Sequence, residues 1–437
     1  GSEWSQETSE SRGKKVGAIA DLIVEHREEL ARLETLDTGK TLEESYADMD
    51  DIANVFNYFA GLADKDGGEI IDSPIPNTES KVIKEPVGVV TQITPWNYPL
   101  LQASWKIAPA LVTGCTLVMK PSEITPLTTI RVLELMAEVG FPKGVINLVL
   151  GKGSEVGEPL SSHKEVDLVS FTGGIQTGKH IMKQAANHVT NVALELGGKN
   201  PNIIFDDADF DLAVDQALNG GFFHAGQVCS AGARILVHND IKDKFEAALI
   251  ERIKNIKLGD GFNPETEMGP VISAEHREKI EKYMEVAKSE NATIAIGGKR
   301  PEREDLQDGF FFEPTVITDC DTSMRIVQEE VFGPVVTIEG FSTEAEAIEL
   351  ANDSIYGLAG GVFTSDIGKA ERVVNKLKMG TVWINDFHPY FAQAPWGGYK
   401  QSGIGRELGK EGLAEYQVEK HILRNTNPEP VNWFGKQ

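Results

Sequence analysis

Hydrophobic residues near the amino terminus recur at the spacing of one helical face. They lie among charged and small residues, at Val16, Ile19, Ile23, Leu30 and Leu33. Gly39 follows this run, and glycine commonly ends helices. The pattern therefore predicts that the chain opens on an amphipathic helix.

Farther along, short β-rich runs alternate with helical stretches such as residues 125–139. The predicted strands of residues 88–206 are Gly88–Ile93, Thr116–Met119, Ile146–Leu150, Leu168–Phe171 and Asn202–Phe205. This alternation is typical of a doubly wound α/β domain with a parallel sheet. Residues 208–405 repeat it with their own glycines and prolines, which predicts a second α/β domain.

Two other segments have the pattern of extended chain. Residues 73–90 form a turn-bounded ribbon, and residues 415–423 alternate like a lone strand. An isolated strand needs a sheet to join, so the two segments are predicted to form an assembly element.

The charge balance narrows the class of partner. The 437 residues include 42 Lys and Arg against 67 Asp and Glu, a formal net charge of -25 at pH 7. Such a chain repels phosphate backbones and anionic lipids, so neither nucleic acid nor a membrane is an expected partner.

No run approaches the roughly 20 apolar residues that span a bilayer. No secretory signal opens the sequence, and its 3 cysteines favour a reducing compartment, so the cytoplasm is the predicted location.

The surroundings of the cysteines distinguish one candidate nucleophile. Cys229 is flanked by Gly226 and Gly232, which permit the close backbone approach that a reacting carbonyl needs. Cys115 lies in an apolar run, where burial raises the pKa of a thiol, and Cys320 lies between two aspartates that oppose a thiolate. A lone cysteine is a buried structural residue in roughly three cases of four. Cys229 is therefore a candidate through its neighbours alone.

Two polar residues are candidates to assist Cys229. Glu195 stands between apolar residues and a Gly-Gly pair, where desolvation would raise its pKa toward that of a general base. A surface-facing strand residue is an equally good interpretation of that segment. Asn97 follows a predicted strand in a proline-punctuated turn, where its amide could donate to an oxyanion, although such a residue more often serves the turn itself.

These segments together resemble the aldehyde dehydrogenase superfamily. Its glutamate motif is close to residues 194–199, and its nucleophile lies in a Gly-Gln-x-Cys segment like residues 226–229. Further agreements follow in order at Pro95–Asn97, Lys120–Glu123, Phe171–Gly174, Glu330–Pro334 and Pro395–Gly403. The resemblance covers essentially the whole chain and is nearest to bacterial betaine aldehyde dehydrogenases.

The resemblance implies an aldehyde dehydrogenase-like α/β fold, with a Rossmann-type cofactor domain, a catalytic domain and a small β element. The expected NAD-binding domain comprises residues 1–74, 88–197 and 408–418. Residues 198–407 are the expected catalytic domain, and residues 75–87 and 419–437 the oligomerisation element. The sequence begins several tens of residues later than the family usually does, so weaker stability, assembly and cofactor affinity are expected.

By the same resemblance, Cys229 attacks an aldehyde, the Asn97 amide and the Cys229 backbone N–H hold the oxyanion, and Glu195 activates water to hydrolyse a thioester. A loose glycine pattern, Gly151-x-Gly153-x-x-x-Gly157, is weak evidence of a cofactor site by itself. A carboxylate at Glu123 favours NAD over NADP, because it accepts from a ribose 2′-hydroxyl and repels a 2′-phosphate. The implied cofactor-binding residues are Ile93, Thr94, Trp96, Lys120, Ser122, Glu123, Gly153, Gly174, Leu196, Gly197, Glu330 and Phe332. No metal site is predicted.

Aromatic residues border the family's substrate tunnel in this sequence. The residues expected to line it are Tyr98, Trp105, Val228, Ser230, His388, Tyr390 and Trp396. Aromatic faces attract a quaternary ammonium, so betaine aldehyde is the leading substrate, with glycine betaine and osmoprotection as the outcome. Aromatics also fill cores and serve hydrophobic aldehydes, so an aminoaldehyde dehydrogenase or a broad aliphatic enzyme is the alternative.

Two hypotheses from other functional classes stay open. One is a noncatalytic binding or structural protein that keeps the fold, and the other is an inactive shortened form. The joint presence of Cys229, Glu195 and Asn97 counts against the first. A homo-oligomer, either a dimer or a tetramer, is expected from the family.

Overall fold

The computed structural model of the protein describes residues 3–435. Residues 1–2 and 436–437, which belong to the expected NAD-binding domain and oligomerisation element, lie outside the described residues. The helices are α1 Glu3–Gln6, α2 Ser9–Glu25, α3 Arg27–Thr38, α4 Leu42–Leu62, α5 Pro99–Thr113, α6 Leu127–Met136, α7 Glu158–Ser162, α8 Ile175–Ala185, α9 Phe210–Phe222, α10 Asn239–Ile253, α11 Ala274–Ser289, α12 Arg325–Gln328, α13 Glu344–Asn352, α14 Ile367–Val374 and α15 Gly409–Ala414. Among the described residues, no helix has the length and apolar character needed to cross a membrane.

Three sheets organise the strands. The strands are β1 Glu69–Ile70, β2 Thr78–Pro86, β3 Val89–Ile93, β4 Thr116–Lys120, β5 Ile146–Leu148, β6 Leu168–Thr172, β7 Asn191–Glu195, β8 Pro201–Ile204, β9 Arg234–His238, β10 Thr293–Ile296, β11 Thr315–Thr318, β12 Val335–Phe341, β13 Ala359–Phe363, β14 Thr381–Ile384, β15 Gly403–Ile404 and β16 Gln417–Asn425. Their hydrogen bonds give a six-stranded, a seven-stranded and a three-stranded sheet.

The six-stranded sheet has the order β15-β7-β6-β3-β4-β5, and all of it is parallel except the edge strand β15. Its register pairs Ile93 with Lys120 and with Phe171, and Thr172 with Glu195. The carboxyl ends of four parallel strands therefore meet at one edge, where open α/β sheets bind ligands. This shared edge brings together motifs that are distant in sequence.

The seven-stranded sheet has the order β10-β11-β12-β9-β8-β13-β14. The prediction that residues 202–205 form a strand of the first domain is wrong, because β8 pairs with β9 and β13 in the second sheet. The turn at residues 197–200 carries the chain from one sheet to the other. Hydrophobicity alone does not distinguish the last strand of one sheet from the first of the next.

The amino-terminal helix prediction is confirmed in type but wrong in continuity. The predicted helix is interrupted at His26, which separates α2 from α3. The residue that follows α3 is Gly39, whose backbone is left-handed with a φ of 80°. Helices α2, α4 and α5 pack together through one buried cluster that includes Ile19, Ile52 and Leu111. This cluster holds α4 and α5 against the six-stranded sheet.

The predicted ribbon and terminal strand pair with each other. Strand β16 runs antiparallel to β2 over nine residue pairs, from Gln417 with Pro86 to Asn425 with Thr78. Strand β1 adds to the other edge of β2. The small sheet therefore forms as a unit distinct from the two large ones.

Candidate active site

Cys229 follows a short irregular turn, Phe223–Gly226, at the end of α9. Its side chain is half-buried, and burial, followed by the charges of Glu195 and Glu330, raises the pKa of the thiol to about 12. The thiol is therefore neutral in this state and needs a proton acceptor before it can attack a carbonyl.

The turn before Cys229 depends on one glycine. Gly226 has a φ of 70°, and a Cβ added there would lie 2.1 Å from the Gly333 carbonyl oxygen. No side chain fits that approach, so the turn packs directly on the Glu330–Pro334 segment. Gly226 thus serves contact between two segments of the chain, and the approach of a reacting carbonyl beside Cys229 stays a prediction.

Glu195 ends β7 and points into the interior. Its side chain is 5% exposed, so its interpretation as a surface-facing strand residue is wrong. Oxygen Oε1 has no hydrogen-bond partner among the described residues. Burial, with a further contribution from the Glu407 carboxylate, raises the pKa of Glu195 well above its ordinary value. A raised pKa makes the Glu195 carboxylate a stronger base than an ordinary carboxylate, which suits a general base.

Asn97 lies in the bend between β3 and α5 and is 5% exposed. Its Nδ2 donates to the Gln227 carbonyl at 2.9 Å, which ties the amide to the turn that carries Cys229. An amide nitrogen has two N–H donors, so the second remains for a ligand.

The structure brings all of the predicted substrate residues into one space. We call this space the aromatic cavity, about 190 Å3 in volume, and its lining includes Cys229 together with Tyr98, Trp105, Val228, Ser230, His388, Tyr390 and Trp396. Trp105 meets the rings of Tyr390 and Trp396 edge-on, at 5.3 and 6.1 Å between centroids. The rings therefore form one cluster beside the thiol.

Two carboxylates of the aromatic cavity were missed by the sequence analysis. Asp48 and Asp51 reach it from α4. Asp48 pairs with Lys40 at 2.6 Å, and Asp51 accepts from the Tyr390 hydroxyl at 2.8 Å. Two carboxylates three residues apart on a helix share a face, which is the one signal that could have found them.

On the other side of Cys229 lies a second space of about 230 Å3, which we call the central cavity. Besides Cys229 and Glu195, six predicted cofactor residues line it: Trp96, Gly174, Leu196, Gly197, Glu330 and Phe332. Glu330 accepts from the Gly198 backbone N–H at 3.0 Å, which fixes its carboxylate beside Gly197. His276 and Lys279 of α11 also line this cavity, and no sequence motif marked them.

A third space, the distal cavity, has a volume of about 480 Å3 at the carboxyl ends of β3 and β4. It is lined by Ile93, Lys120, Glu123 and Gly153, all predicted cofactor residues. The Lys120 ammonium lies 3.2 Å from the Glu123 carboxylate.

Two predicted cofactor residues do not line these cavities. The Thr94 backbone N–H donates to the Lys120 carbonyl at 3.2 Å, so this residue supports the strand ends. The Ser122 hydroxyl accepts from the Ile124 backbone N–H at 3.3 Å. Both serve the turns beside the distal cavity.

The other cysteines have structural surroundings. Cys115 is fully buried, and burial raises the pKa of its thiol. Burial and the Glu339 carboxylate raise the pKa of Cys320 to about 12. Neither cysteine lines the three cavities.

Comparisons with known proteins agree with this geometry. The aldehyde dehydrogenase family matches residues 1–422. The chain is 69% identical to the betaine aldehyde dehydrogenase of Bacillus subtilis (strain 168), over 99% of this chain and 88% of that protein. It is 50% identical to aminoaldehyde dehydrogenase 2 of Zea mays, over 99% of this chain and 86% of that protein.

A solved structure is similar along nearly the whole chain. It is betaine aldehyde dehydrogenase of Staphylococcus aureus in complex with NAD+, with a TM-score of 0.99 and 84% identity over 99% of this chain and 86% of that one. The family match, the identity to these relatives and the shared fold all indicate the same family. This chain belongs to the aldehyde dehydrogenase family.

Proposed function

We propose that this chain oxidises betaine aldehyde to glycine betaine with NAD, through a thioester on Cys229. The observation that carries the proposal is the position of Cys229 at the junction of two cavities. It faces the aromatic cavity on one side and the central cavity on the other. One sulfur can thus hold an aldehyde from the first side while a cofactor ring approaches from the second.

The residues of the central and distal cavities fit NAD. Gly174 precedes α8, and a Cβ added at Gly174 or Gly153 would meet no atom of the described residues within 4 Å, so there is room for a pyrophosphate at a helix start. Glu123 would accept from a ribose hydroxyl, with Lys120 beside it. Glu330 and Phe332 would hold the nicotinamide end. When bound, NAD supplies the acceptor for the hydride that leaves the substrate carbon.

Acylation begins with transfer of the Cys229 proton to Glu195. The carboxyl group lines the same cavity as the thiol, and its raised pKa makes it a better base than an ordinary carboxylate. The sulfur then bonds to the aldehyde carbon. The Asn97 amide and the Cys229 backbone N–H would hold the resulting oxyanion, and loss of hydride from the thiohemiacetal leaves a thioester.

Deacylation needs a water molecule and a base. Glu195 first gives the thiol proton to solvent, and its oxygen Oε1, which has no hydrogen-bond partner among the described residues, would then accept the proton of that water. The hydroxide adds to the thioester carbon, the carbon–sulfur bond breaks, and the carboxylic acid leaves. The freed thiolate recovers a proton, which restores Cys229.

The aromatic cavity supports a cationic substrate. Ring faces attract a quaternary ammonium by roughly 0.5 to 2 kcal/mol each. The Asp51 carboxylate adds negative charge to the same wall, whereas the charge of Asp48 is balanced by Lys40. Betaine aldehyde, for which the Bacillus subtilis and Staphylococcus aureus relatives are named, carries a trimethylammonium group one methylene away from its aldehyde carbon, which suits an aromatic cavity lined by Cys229.

The experiment that tests this proposal compares betaine aldehyde with 3,3-dimethylbutanal, in which carbon replaces the charged nitrogen. The two aldehydes have nearly the same shape. We expect NADH formation with a kcat/KM at least about tenfold higher for the cation. Equal values would reduce the proposal to a general aldehyde dehydrogenase, and no turnover with either would contradict it.

A second candidate substrate is an aminoaldehyde. The Asp51 carboxylate would pair with a primary ammonium, and relatives such as the Zea mays protein are named for aminoaldehydes. Rates with 3-aminopropanal decide between the two. A kcat/KM above that of betaine aldehyde would favour this candidate, because aromatic faces alone do not select a primary amine.

We propose a homo-oligomer built on the three-stranded sheet. Its edges and the segment that follows leave apolar side chains exposed, namely Ile70, Leu423, Val431, Trp433 and Phe434. Exposed apolar patches of this kind commonly mark interfaces. Sedimentation of the purified chain should give a dimer or tetramer, whereas a monomer would contradict this part.

The three free thiols support our placement of the protein in the cytoplasm.

A further inference from the structure

The backbone just before Cys229 has an unusual conformation. His224 and Ala225 are both left-handed, with φ of 49° and 53°, and Gly226 continues with φ of 70°. Residues other than glycine rarely adopt this region, and two in succession persist only where their surroundings hold them there. The contacts of His224 therefore determine the shape of the turn that precedes Cys229.

One such contact comes from α4. Glu44 forms the capping box of that helix with Thr41, whose backbone N–H and hydroxyl donate to Glu44 Oε2 at 2.6 and 2.8 Å. The other oxygen, Oε1, accepts the backbone N–H of His224 at 2.9 Å. Both residues are buried. Loss of this acceptor would leave a buried N–H without a partner, which is costly.

The imidazole of His224 makes a second contact. Its Nε2 lies 2.9 Å from the Asn97 carbonyl oxygen, and its ring meets Tyr98 edge-on at 5.3 Å. A carbonyl oxygen only accepts, so Nε2 carries the proton and donates. Burial, followed by the Lys40 charge, lowers the pKa of His224 well below its ordinary value, so the ring is neutral at physiological pH.

Asn97 closes this set of contacts. Its amide donates to the Gln227 carbonyl at 2.9 Å, and the Gln227 backbone N–H donates to the His224 carbonyl at 3.0 Å. Helix α4, the bend at Asn97 and the turn before Cys229 are thus joined through one histidine. A shift of His224 would move the Asn97 amide and the Cys229 sulfur relative to each other.

We propose that His224 and Glu44 are positioning residues for the reaction. Glu44 holds the left-handed turn, and the His224 ring holds the Asn97 backbone, so that sulfur and amide face one carbonyl. Neither residue lines the three cavities, so each acts through others. The inference rests on the roles of Cys229 and Asn97 in the proposed function.

The test uses p-nitrophenyl acetate with the full chain, because its cleavage needs neither NAD nor a particular aldehyde. The Cys229 sulfur bonds to the acetyl carbon, the tetrahedral oxyanion collapses, and p-nitrophenolate leaves. Water then hydrolyses the acetyl thioester to acetate. Release of p-nitrophenolate is measured for the unchanged chain, His224→Phe, Asn97→Ala and the double variant. Phenylalanine keeps a ring against Tyr98 but cannot donate to Asn97.

We expect His224→Phe to slow release about tenfold in the unchanged background and by less than about twofold beside Asn97→Ala, because the histidine acts through that amide. Equal losses in both backgrounds would overturn the inference, since a ring that only supports the fold gives additive effects. Melting curves establish that each variant is folded.

Variants of Glu44 provide an independent test of the positioning role if His224→Phe fails to fold. Glu44→Gln keeps one acceptor oxygen where the carboxylate has two, so it should lose less of the rate than Glu44→Ala, which should lose about tenfold. The control is Glu346→Ala, since Glu346 accepts a backbone N–H at the start of α13, away from the cavity linings. A normal rate in Glu44→Ala would overturn the inference.

The two proposals fail separately. An unchanged chain that cleaves the ester, with the expected variant losses, but does not oxidise betaine aldehyde would contradict the proposed substrate and leave the positioning role standing. An unchanged chain that does not cleave the ester would overturn both.

Discussion

The Tyr390 hydroxyl donates to the Asp51 carboxylate at 2.8 Å inside the aromatic cavity. Helix α4 and the segment after β14, far apart in sequence, thereby form one wall. Burial raises the pKa of Asp51, and the tyrosine hydrogen bond opposes that effect. The wall therefore combines an aromatic ring with a carboxylate whose charge is stabilised by its neighbour.

Removal of that charge should weaken selection for a cation. We expect Asp51→Asn to lower kcat/KM for betaine aldehyde about tenfold and to leave that for 3,3-dimethylbutanal within about twofold. Asp50→Asn is the matched control, because Asp50 on the same helix pairs with Arg27 at 2.6 Å and does not line the cavity. Equal losses for both aldehydes would show that Asp51 serves the fold rather than recognition.

The pH dependence should follow the raised pKa values of Glu195 and Cys229. Both groups act in their deprotonated form, and a raised pKa delays deprotonation to higher pH. Activity should therefore rise from neutral toward alkaline pH. Glu195→Gln should lower turnover by about 10² to 10⁴ and remove the part of the rise due to the base. A profile already flat at pH 6 would contradict these assignments.

The Glu407 carboxylate is one cause of the raised pKa of Glu195, and its buried partner is the Lys106 ammonium. Replacement of Glu407 by glutamine removes a negative charge near Glu195 and leaves the lysine positive. Both changes favour the ionised form of Glu195. In Glu407→Gln we expect the rise of the rate with pH to occur at lower pH than in the unchanged chain. Profiles of rate against pH for both proteins measure this shift. A shift to higher pH would contradict the account.

Glu123 should determine the choice of dinucleotide. Glu123→Gln removes the charge that would repel a 2′-phosphate, so kcat/KM for NADP should rise relative to NAD by about tenfold. Glu134→Gln serves as the control, since Glu134 is exposed and pairs with Arg131. An unchanged cofactor ratio would remove Glu123 from this role.

Motif-bearing parts of the site could be predicted from the sequence, while other parts could not. Cys229, Glu195 and Asn97 lie in glycine- and proline-rich segments whose backbone needs are visible in the residue types. Asp48 and His224 carry no such mark, because their contacts depend on how α4 packs against distant segments. Periodicity likewise reports neither the helix break at His26 nor the sheet that β8 joins. The expected domain boundaries remain predictions.

The central claim is a thioester between Cys229 and the acid formed from betaine aldehyde. Its most direct test is intact and peptide mass measurement of Glu195→Gln after mixing with NAD and betaine aldehyde at alkaline pH, where part of the Cys229 thiol ionises without Glu195, followed by an acid quench. Loss of the base that activates water should leave the thioester unhydrolysed. We expect the mass of one betaine acyl group on the peptide that contains Cys229, together with one equivalent of NADH. Turnover at the unchanged rate with no adduct, or an adduct on another residue, would contradict the account.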